Sequence, residues 1–226
     1  LSGVSVSSVQ AALIDRGGGL IYDNALNITW LQDANYARAL MTWNQAMSWA
    51  DSLSYYDEIR NVTYSDWRLP AYLGAPDAGC AFSGSDCGYN VNPLSSEMAH
   101  LFYVSLGNVA WADESGTRQD GVATVDWGLI NTGPFHNMMS HGYWTSTEAS
   151  GSQAWNFMTI VGLQDTSLKG YPWYAMAVRD GDVLTASPTQ TVSEPPLLGL
   201  LGLGLAGIGL ARRSRQIGRA SCRERV

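Results

Sequence analysis

The first regular feature of the chain is a pair of short apolar runs near its start. Residues 20–22 and 28–31 are apolar or aromatic apart from Thr29, and they flank residues 23–27, which are rich in Asp and Asn. Two apolar runs separated by turn-forming residues are typical of a β-hairpin. The pattern therefore predicts two antiparallel strands in this part of the chain.

Two stretches show the apolar spacing of a helix. In the first, Thr42 and Gln45 form a capping box, and apolar residues then recur three and four positions apart on one face, at Trp43, Ala46, Met47, Ala50 and Leu53. The second begins after Ser95 or Ser96 and ends at Gly107, with Met98, Leu101 and Phe102 facing inward. We expect both apolar faces to pack in the core.

The last third of the folded region reads as strands. Residues 142–148 form one run, residues 153–168 form two runs joined near Gly162, and residues 173–182 form another, with Tyr174, Met176 and Val178 on one face. Period-two alternation of this kind predicts an antiparallel meander. Residues 71–95 form a loop rich in Gly, Pro, Ser and Asp, and residues 108–142 are irregular, with Gly, Asn and acidic residues around isolated aromatics. No internal repeat is evident. The order of elements predicts an α+β fold with two helices, antiparallel strands and long irregular loops.

Charge separates the chain into two parts. Residues 1–191 carry 7 Lys and Arg against 18 Asp and Glu, a net charge of −11, whereas residues 192–226 carry a net charge of +4. An acidic domain does not suit a nucleic acid, whose binding depends on neutralising phosphates. We therefore expect no nucleic-acid partner.

The cysteines bear on the cellular compartment in which the protein resides. Cys80 and Cys87 lie in one Gly/Ser-rich loop, and their spacing differs from redox and zinc motifs. If the protein is exported, we expect them to form a local disulfide. Residues 1–12 are interpreted as a signal-peptide remnant, with a Val-x-Ala pattern before cleavage near Ala11 or Ala12.

The end of the chain combines an apolar run with arginines. Residues 197–211 are Gly/Leu-rich but shorter than the roughly 20 residues a spanning helix needs, and Arg212 and Arg213 follow directly. With Glu194 and Pro195, residues 195–216 resemble a PEP-CTERM sorting signal, joined to the domain by a polar linker at 184–194. Ser193 stands where that signal usually has its first proline. The resemblance implies transient anchoring in the inner membrane of a Gram-negative bacterium, recognition by an exosortase-type sorting enzyme, and display at the cell surface or in the extracellular matrix. A simple C-terminal anchor is the alternative.

Residues 217–226 resemble a translated sequencing adapter, and we interpret them as an artefact.

Residues 13–183 contain, in order, YSDWRLPAYL, SSEMAHLF, GYWTSTE, AWNF and AVRDGD. This set resembles the Lcl C-terminal domain family. That family is similar to C-type-lectin-like domains and to the formylglycine-generating enzyme fold, and some of its members are implicated in adhesion to polysaccharides. The resemblance implies a C-type-lectin-like α+β fold.

The motif residues have a structural interpretation. Pro70 favours extended backbone at the residue before it, so Trp67 is expected to be buried while Arg68 points the other way. The planar guanidinium groups of Arg68 and Arg179 suit carbonyl or carboxylate partners, with Asp180 and Asp182 close in sequence to the second. Trp144 and Trp155 are expected in the core.

Candidate binding residues lie in the loops. Carbohydrate binding uses exposed aromatic rings, for which the loop residues are Trp111, Trp127, Phe135 and Tyr171. A calcium site would use loop carboxylates, and these gather at Asp113, Glu114, Asp120 and Asp126, without a recognisable calcium-loop pattern. Ca²⁺ is thus the one cofactor the sequence suggests.

Catalysis has less support. There is no G-x-S-x-G nucleophile elbow, and no cysteine lies between Cys87 and the terminal artefact, whereas the formylglycine-generating relatives need a reactive cysteine pair. We predict an exported, non-catalytic module that binds extracellular polysaccharide or another surface polymer. The alternatives are an extracellular enzyme of the formylglycine-generating type or an unrecognised hydrolase, and a structural matrix protein.

Overall fold

The computed structural model describes residues 12–74, 79–120 and 126–184. Every described residue belongs to one compact unit. Within the described residues, no helix is long and apolar enough to cross a membrane. Residues 1–11 of the predicted signal remnant, the sorting signal with Glu194, Pro195, Arg212 and Arg213, and the terminal artefact lie outside the described residues.

The described residues combine short strands with two helical segments, so the predicted α+β fold is confirmed. The helices are α1 (Trp43–Ser52) and α2 (Glu97–Ala99), the latter continued by a π-helix (His100–Ser105). The strands are β1 (Leu13–Asp15), β2 (Leu20–Asp23), β3 (Ile28–Leu31), β4 (Tyr55–Asp57), β5 (Val62–Tyr64), β6 (Gly88–Tyr89), β7 (Gly142–Glu148), β8 (Gln153–Met158), β9 (Leu163–Leu168) and β10 (Val178–Asp180).

One sheet joins the two ends of the described region. Its strand order is β1-β2-β3-β10, and every neighbouring pair is antiparallel. The predicted hairpin is confirmed as β2 and β3. The last predicted strand is shorter than expected and does not continue the C-terminal meander, because β10 pairs with β3 through Val178 and Trp30. Because these two strands lie far apart in the sequence, no local pattern predicts that they pair.

A second sheet holds the rest of the meander, in the order β6-β9-β8-β7. Strands β7, β8 and β9 lie where the sequence predicted them and pair antiparallel. Strands β4 and β5 form a separate hairpin that the sequence pattern did not predict. Helix α1 contacts β7, which places it over the second sheet.

Both predicted helices are present. Thr42 and Gln45 form the predicted capping box at the start of α1, and Ala46 and Ala50 are fully buried on its inner face. Ser96, rather than Ser95, caps the second helix by accepting a hydrogen bond from the Ala99 backbone N–H. Most of this helix is π-helical. The spacing of its apolar residues did not distinguish a π-helix from an α-helix, because the same residues are buried in either case.

The predicted hairpin β2–β3 and the unpredicted hairpin β4–β5 have the same turn. The chain therefore contains a short repeat, contrary to the expectation that it has none. Tyr-Asp-x-x-x-Asn-x-Thr occurs at residues 22–29 and again at 56–63. In each copy the buried Asp accepts hydrogen bonds from the backbone N–H groups two and three residues ahead. The Asn has positive φ and accepts a hydrogen bond from the Tyr hydroxyl. Such an Asx-turn fixes each hairpin locally.

The motif residues form the structural core of the domain. Trp67 and Pro70 are buried, and Arg68 points to Glu97 and Asp180, with which it forms ion pairs. Trp144 is fully buried, and Trp155 packs against Tyr72 with ring centroids 4.3 Å apart.

The carboxylate partner of Arg179 is Asp66, at Nε–Oδ1 and Nη2–Oδ2 distances of 2.8 Å, rather than its sequence neighbours Asp180 and Asp182. Arg68 and Arg16 take those two carboxylates instead. The guanidinium of Arg179 also lies 4.4 Å from the centre of the Tyr64 ring. Strand twist and tertiary pairing, which spacing does not encode, decide these partners.

Stability should decrease on mild acidification because of His100. Burial lowers the pKa of this imidazole below its ordinary value of 6.5, and the Asp23 carboxylate only partly opposes that effect. Between the lowered pKa and 6.5 the unfolded chain binds a proton that the folded chain does not, so the free energy of unfolding falls as the pH drops through this window. Urea unfolding at a series of pH values measures the slope.

The variant His100→Gln should flatten this slope, whereas the exposed His136 provides a matched control. His136→Gln should leave the slope in place. An unchanged slope in His100→Gln would refute the assignment to His100.

Candidate functional site

A cleft lies between the N-terminal sheet and the β4–β5 hairpin. It consists of two adjoining cavities, of about 260 Å³ and 670 Å³, which share Tyr36 and Tyr55. The smaller is lined by Gly19, Leu31, Gln32, Asp33, Tyr36, Tyr55 and His136. The larger is lined by Gly18, Tyr36, Ser54, Tyr55, Tyr56, Glu58 and Ile59. We call this feature the tyrosine cleft.

Tyr55 is held rigidly between the two cavities. Its hydroxyl donates a hydrogen bond of 2.8 Å to the Gly18 carbonyl, and its ring packs edge-on against Tyr36 and Trp67 at centroid distances of 5.7 Å and 6.0 Å. Gly19 has φ +74, and a Cβ there would collide with the Tyr55 hydroxyl. The glycine run at 17–19 therefore lets the backbone lie directly against this side chain.

Polar groups converge in the smaller cavity because residue 136 pairs with the chain just after β3. The Ala34 N–H donates to the His136 carbonyl and the His136 N–H donates to the Gln32 carbonyl, both at 2.9 Å. The Asp33 carboxylate accepts hydrogen bonds from Arg38 at 2.8 Å and from Asn137 at 3.0 Å. The cavity thus holds a carboxylate, an amide and an imidazole beside two aromatic rings.

The electrostatic environment of the cleft is negative. The pKa of Tyr55 is raised, first by burial, then by Tyr36 and by the carboxylates of Asp57, Glu58 and Asp33. Asp33 and Glu58 line the cavities, whereas Asp57 does not. Asp57 forms an ion pair with Arg60 and Asp33 forms one with Arg38, so Glu58 is the lining acid without an ion pair among the described residues. A cleft bordered in this way repels anionic ligands.

The structure does not bring the four predicted ligand-binding aromatics to this cleft. Phe135 is 4% exposed and packs edge-on against Trp30 in the core, so its assignment as a ligand residue was wrong. Trp127 is half-buried. Trp111, also half-buried, is covered by the Arg118 guanidinium, 4.6 Å from its ring centre.

Tyr171 is exposed and lies elsewhere. It stacks on Trp173, with ring centroids 6.2 Å apart, and lines a separate shallow cavity of about 370 Å³ with Leu168, Gly170 and Pro172. The cavity has no charged lining residue. Of the four predicted aromatics, Tyr171 alone keeps a face in solvent comparable to that of Tyr36, at 54% and 42% exposure.

The cleft residues were missed because the strand that carries Tyr55 and Tyr56 was not predicted. The signal that reveals it is the second copy of the turn motif at 56–63, which implies a second hairpin like β2–β3. Tyr36 and His136 lie in irregular segments, and their approach to β4 is decided by tertiary pairing.

The predicted calcium ligands do not form a site. Among the described residues, which include all four of Asp113, Glu114, Asp120 and Asp126, no three of these carboxylates lie close enough to share an ion. Asp113 instead closes its own turn, accepting from the Ser115 hydroxyl and from the backbone N–H groups of Ser115 and Thr117. These bonds, the Ser115 side chain first, hold the pKa of Asp113 below its usual value.

Cys80 and Cys87 form a disulfide. Both sulfur atoms lie 3.9 Å from Oδ1 of Asp165. Because metal binding needs a thiolate, two sulfurs bonded to each other do not supply metal ligands here. The bond instead closes the loop before β6, where Cys87 packs with Tyr72 and Trp155.

A Ser, a His and an Asp do meet in the core, but not in the order that nucleophilic catalysis needs. The Ser105 hydroxyl donates to the Asp23 carboxylate at 3.2 Å, and its oxygen lies 3.2 Å from Nδ1 of His100. A catalytic serine gives its proton to the imidazole, while the acid holds the opposite ring nitrogen. Here the serine bridges acid and imidazole at one nitrogen, inside a buried cluster.

Known proteins give no further guide to this site, since the chain matches no protein-family model and no curated protein.

Proposed function

We propose that the protein is an exported, surface-associated, non-catalytic module that binds extracellular polysaccharide or another surface polymer. The observation that carries this proposal is the tyrosine cleft, in which two adjoining cavities share two aromatic rings. Sugar rings stack their apolar faces on aromatic side chains, while their hydroxyls need both donors and acceptors. Gln32, Asp33 and His136 supply such groups beside Tyr36 and Tyr55.

Membership of the Lcl C-terminal domain family, with its C-type-lectin-like fold, is part of this proposal. It is supported by the way the motif pieces contact one another in space. Arg68 and Val178 exchange backbone hydrogen bonds of 2.8 Å and 2.9 Å, and the Ser146 N–H donates to the Pro70 carbonyl at 2.8 Å. The pieces that carry the resemblance thus converge on one structural unit.

Export and sorting are proposed on separate grounds. The disulfide between Cys80 and Cys87 suits an oxidising compartment outside the cytoplasm. The Gly/Leu run and the arginines of residues 195–216 favour transient membrane anchoring and processing by an exosortase-type enzyme.

Replacing Tyr36 should weaken polymer binding without disturbing the fold. We expect Tyr36→Ala to lower the affinity for a retained polysaccharide by at least about tenfold, because this exposed ring borders both cavities. The measurement is affinity electrophoresis of the full chain through gels containing a panel of neutral, amino-bearing and acidic polysaccharides.

Tyr171→Ala is the matched control, because it removes a comparably exposed tyrosine outside the cleft. It should bind like the unaltered chain. Retention by none of the polymers would refute the proposed function, and equal loss in both variants would refute the cleft as the site.

A further inference from the structure

The tyrosine cleft combines aromatic faces with carboxylates, an arrangement that favours a positively charged ligand. Tyr36, Tyr55 and Tyr56 line the larger cavity together with Glu58, and Asp33 borders the smaller one. We propose that the cleft binds a protonated amino group carried by an amino-sugar polymer. This inference rests on the proposed function and names the class of polymer that the same site takes.

The ring geometry suits a cation. Tyr36 and Tyr55 meet at an interplanar angle of 69°, so the two rings offer differently oriented surfaces to the space they border. The electron-rich face of an aromatic ring attracts an ammonium group within about 6 Å of its centre. Tyr36 and Tyr56 are 42% and 53% exposed, which leaves both rings accessible to a ligand.

The carboxylates add to this attraction. Glu58 is exposed and forms no ion pair with any of the described residues. Asp33 is paired with Arg38, whose side chain is 67% exposed, and exposed ion pairs of this kind are weak. The raised pKa of Tyr55 agrees with a negative potential at this point, since Glu58 and Asp33 are among its causes after burial.

An amino-sugar polymer fits the cleft better than a polyanionic glycan or a lysine-rich polypeptide does. A polyanionic glycan would meet both the cleft carboxylates and the net charge of −11 on residues 1–191. A lysine side chain would use the aromatic faces but not the amide and imidazole of Gln32 and His136 in the smaller cavity. A chain of amino sugars would use both, placing an amine at the tyrosines and hydroxyls at the polar groups.

The test compares two ligands that differ only in the substituent at each sugar nitrogen, a protonated amine in one and an uncharged acetamide in the other. Isothermal titration of the full chain with glucosamine oligomers, and with N-acetylglucosamine oligomers of the same length, should show about tenfold tighter binding of the glucosamine form below the pKa of the sugar amine. The preference should disappear above that pKa. Oligolysine of matched charge should bind more weakly than the glucosamine oligomer.

A charge-matched pair of variants locates the effect. Glu58→Gln should reduce the preference for glucosamine several-fold, whereas Glu114→Gln makes the same change in net charge on an exposed loop residue outside the cleft and should not. Equal or tighter binding of the acetylated oligomer, or tighter binding of oligolysine, would overturn the inference. If acidic or neutral polysaccharides still bind in a Tyr36-dependent manner, the proposed function survives that result; if no polymer binds, both proposals fail.

Discussion

Arg68→Ala is expected to lower the free energy of unfolding by about 3 kcal/mol, the lower end of the range for removing one partner of a buried ion pair, because the Arg68 side chain is 32% exposed while that of Glu97 is 10% exposed. The guanidinium binds Glu97 through two parallel hydrogen bonds of 2.7 Å and 2.8 Å, and it bonds Asp180 at 2.6 Å. Glu97 is the buried first residue of α2, and its carboxylate also accepts from the Ala71 N–H. Without Arg68, its charge remains in the protein interior with that single partner. Urea unfolding of the full chain measures the loss.

Further variants separate the effect of losing the ion pair from the effect of losing side-chain volume. Arg68→Lys keeps the charge but not the planar fork, so it should fall between the unaltered chain and Arg68→Ala. Replacing both partners, as Arg68→Met with Glu97→Leu, should cost less than Arg68→Ala because no unpaired charge remains. Arg38→Ala removes an exposed pair and should cost less than about 1 kcal/mol. A similarly small effect of Arg68→Ala would show that the network does not stabilise the fold.

Trp144→Ala should destabilise the domain by about 3–5 kcal/mol, as expected for a fully buried tryptophan. Its buried neighbours are mostly small: Ala46, Ala50, Leu69, Ala154 and Ala175. Four of these five neighbours are alanines, which are too short to close the cavity that the ring would leave, although Trp43, Trp49 and Trp173 pack against the same cluster. The indole N–H also donates to the Met41 carbonyl at 2.9 Å, a bond that the variant leaves unmade.

Thermal unfolding followed by near-ultraviolet circular dichroism provides the measurement. Trp111→Ala is the control, because this half-buried loop tryptophan lies outside the buried core clusters and should cost clearly less. Trp144→Phe should recover part of the packing but not the hydrogen bond. Equal losses for Trp144→Ala and Trp111→Ala would contradict the role given to Trp144.

The two stability experiments bear on function as well as fold. Arg68 ties the segment after Trp67 to β10 and to the second helix, while Trp67 packs against Tyr55 in the cleft. The binding tests use Tyr36 and Glu58, which are on the surface, so a loss of affinity there is separable from a loss of folding. The motif residues thus belong to the scaffold, whereas the proposed recognition belongs to the cleft.

Local pattern was enough for the elements whose signals are local. The capping box at Thr42 and Gln45, the apolar face of the second helix and the runs of β2, β3, β7, β8 and β9 each follow from residues a few positions apart. Short strands without alternation, such as β4 and β6, gave no such signal. The repeated turn motif was present in the sequence, and reading it would have predicted the β4–β5 hairpin.

By itself, the sequence determined the α+β class, the main helices and strands and the acidic charge of the domain, because periodicity and charge are properties of neighbouring residues. Only the tertiary structure decided that Phe135 is core, that Arg179 pairs with Asp66 and that the loop carboxylates lie apart. It alone placed Tyr36, Tyr55 and His136 around one cleft. Such contacts join residues tens of positions apart, and they arise when sheets and loops pack together to bury apolar surface.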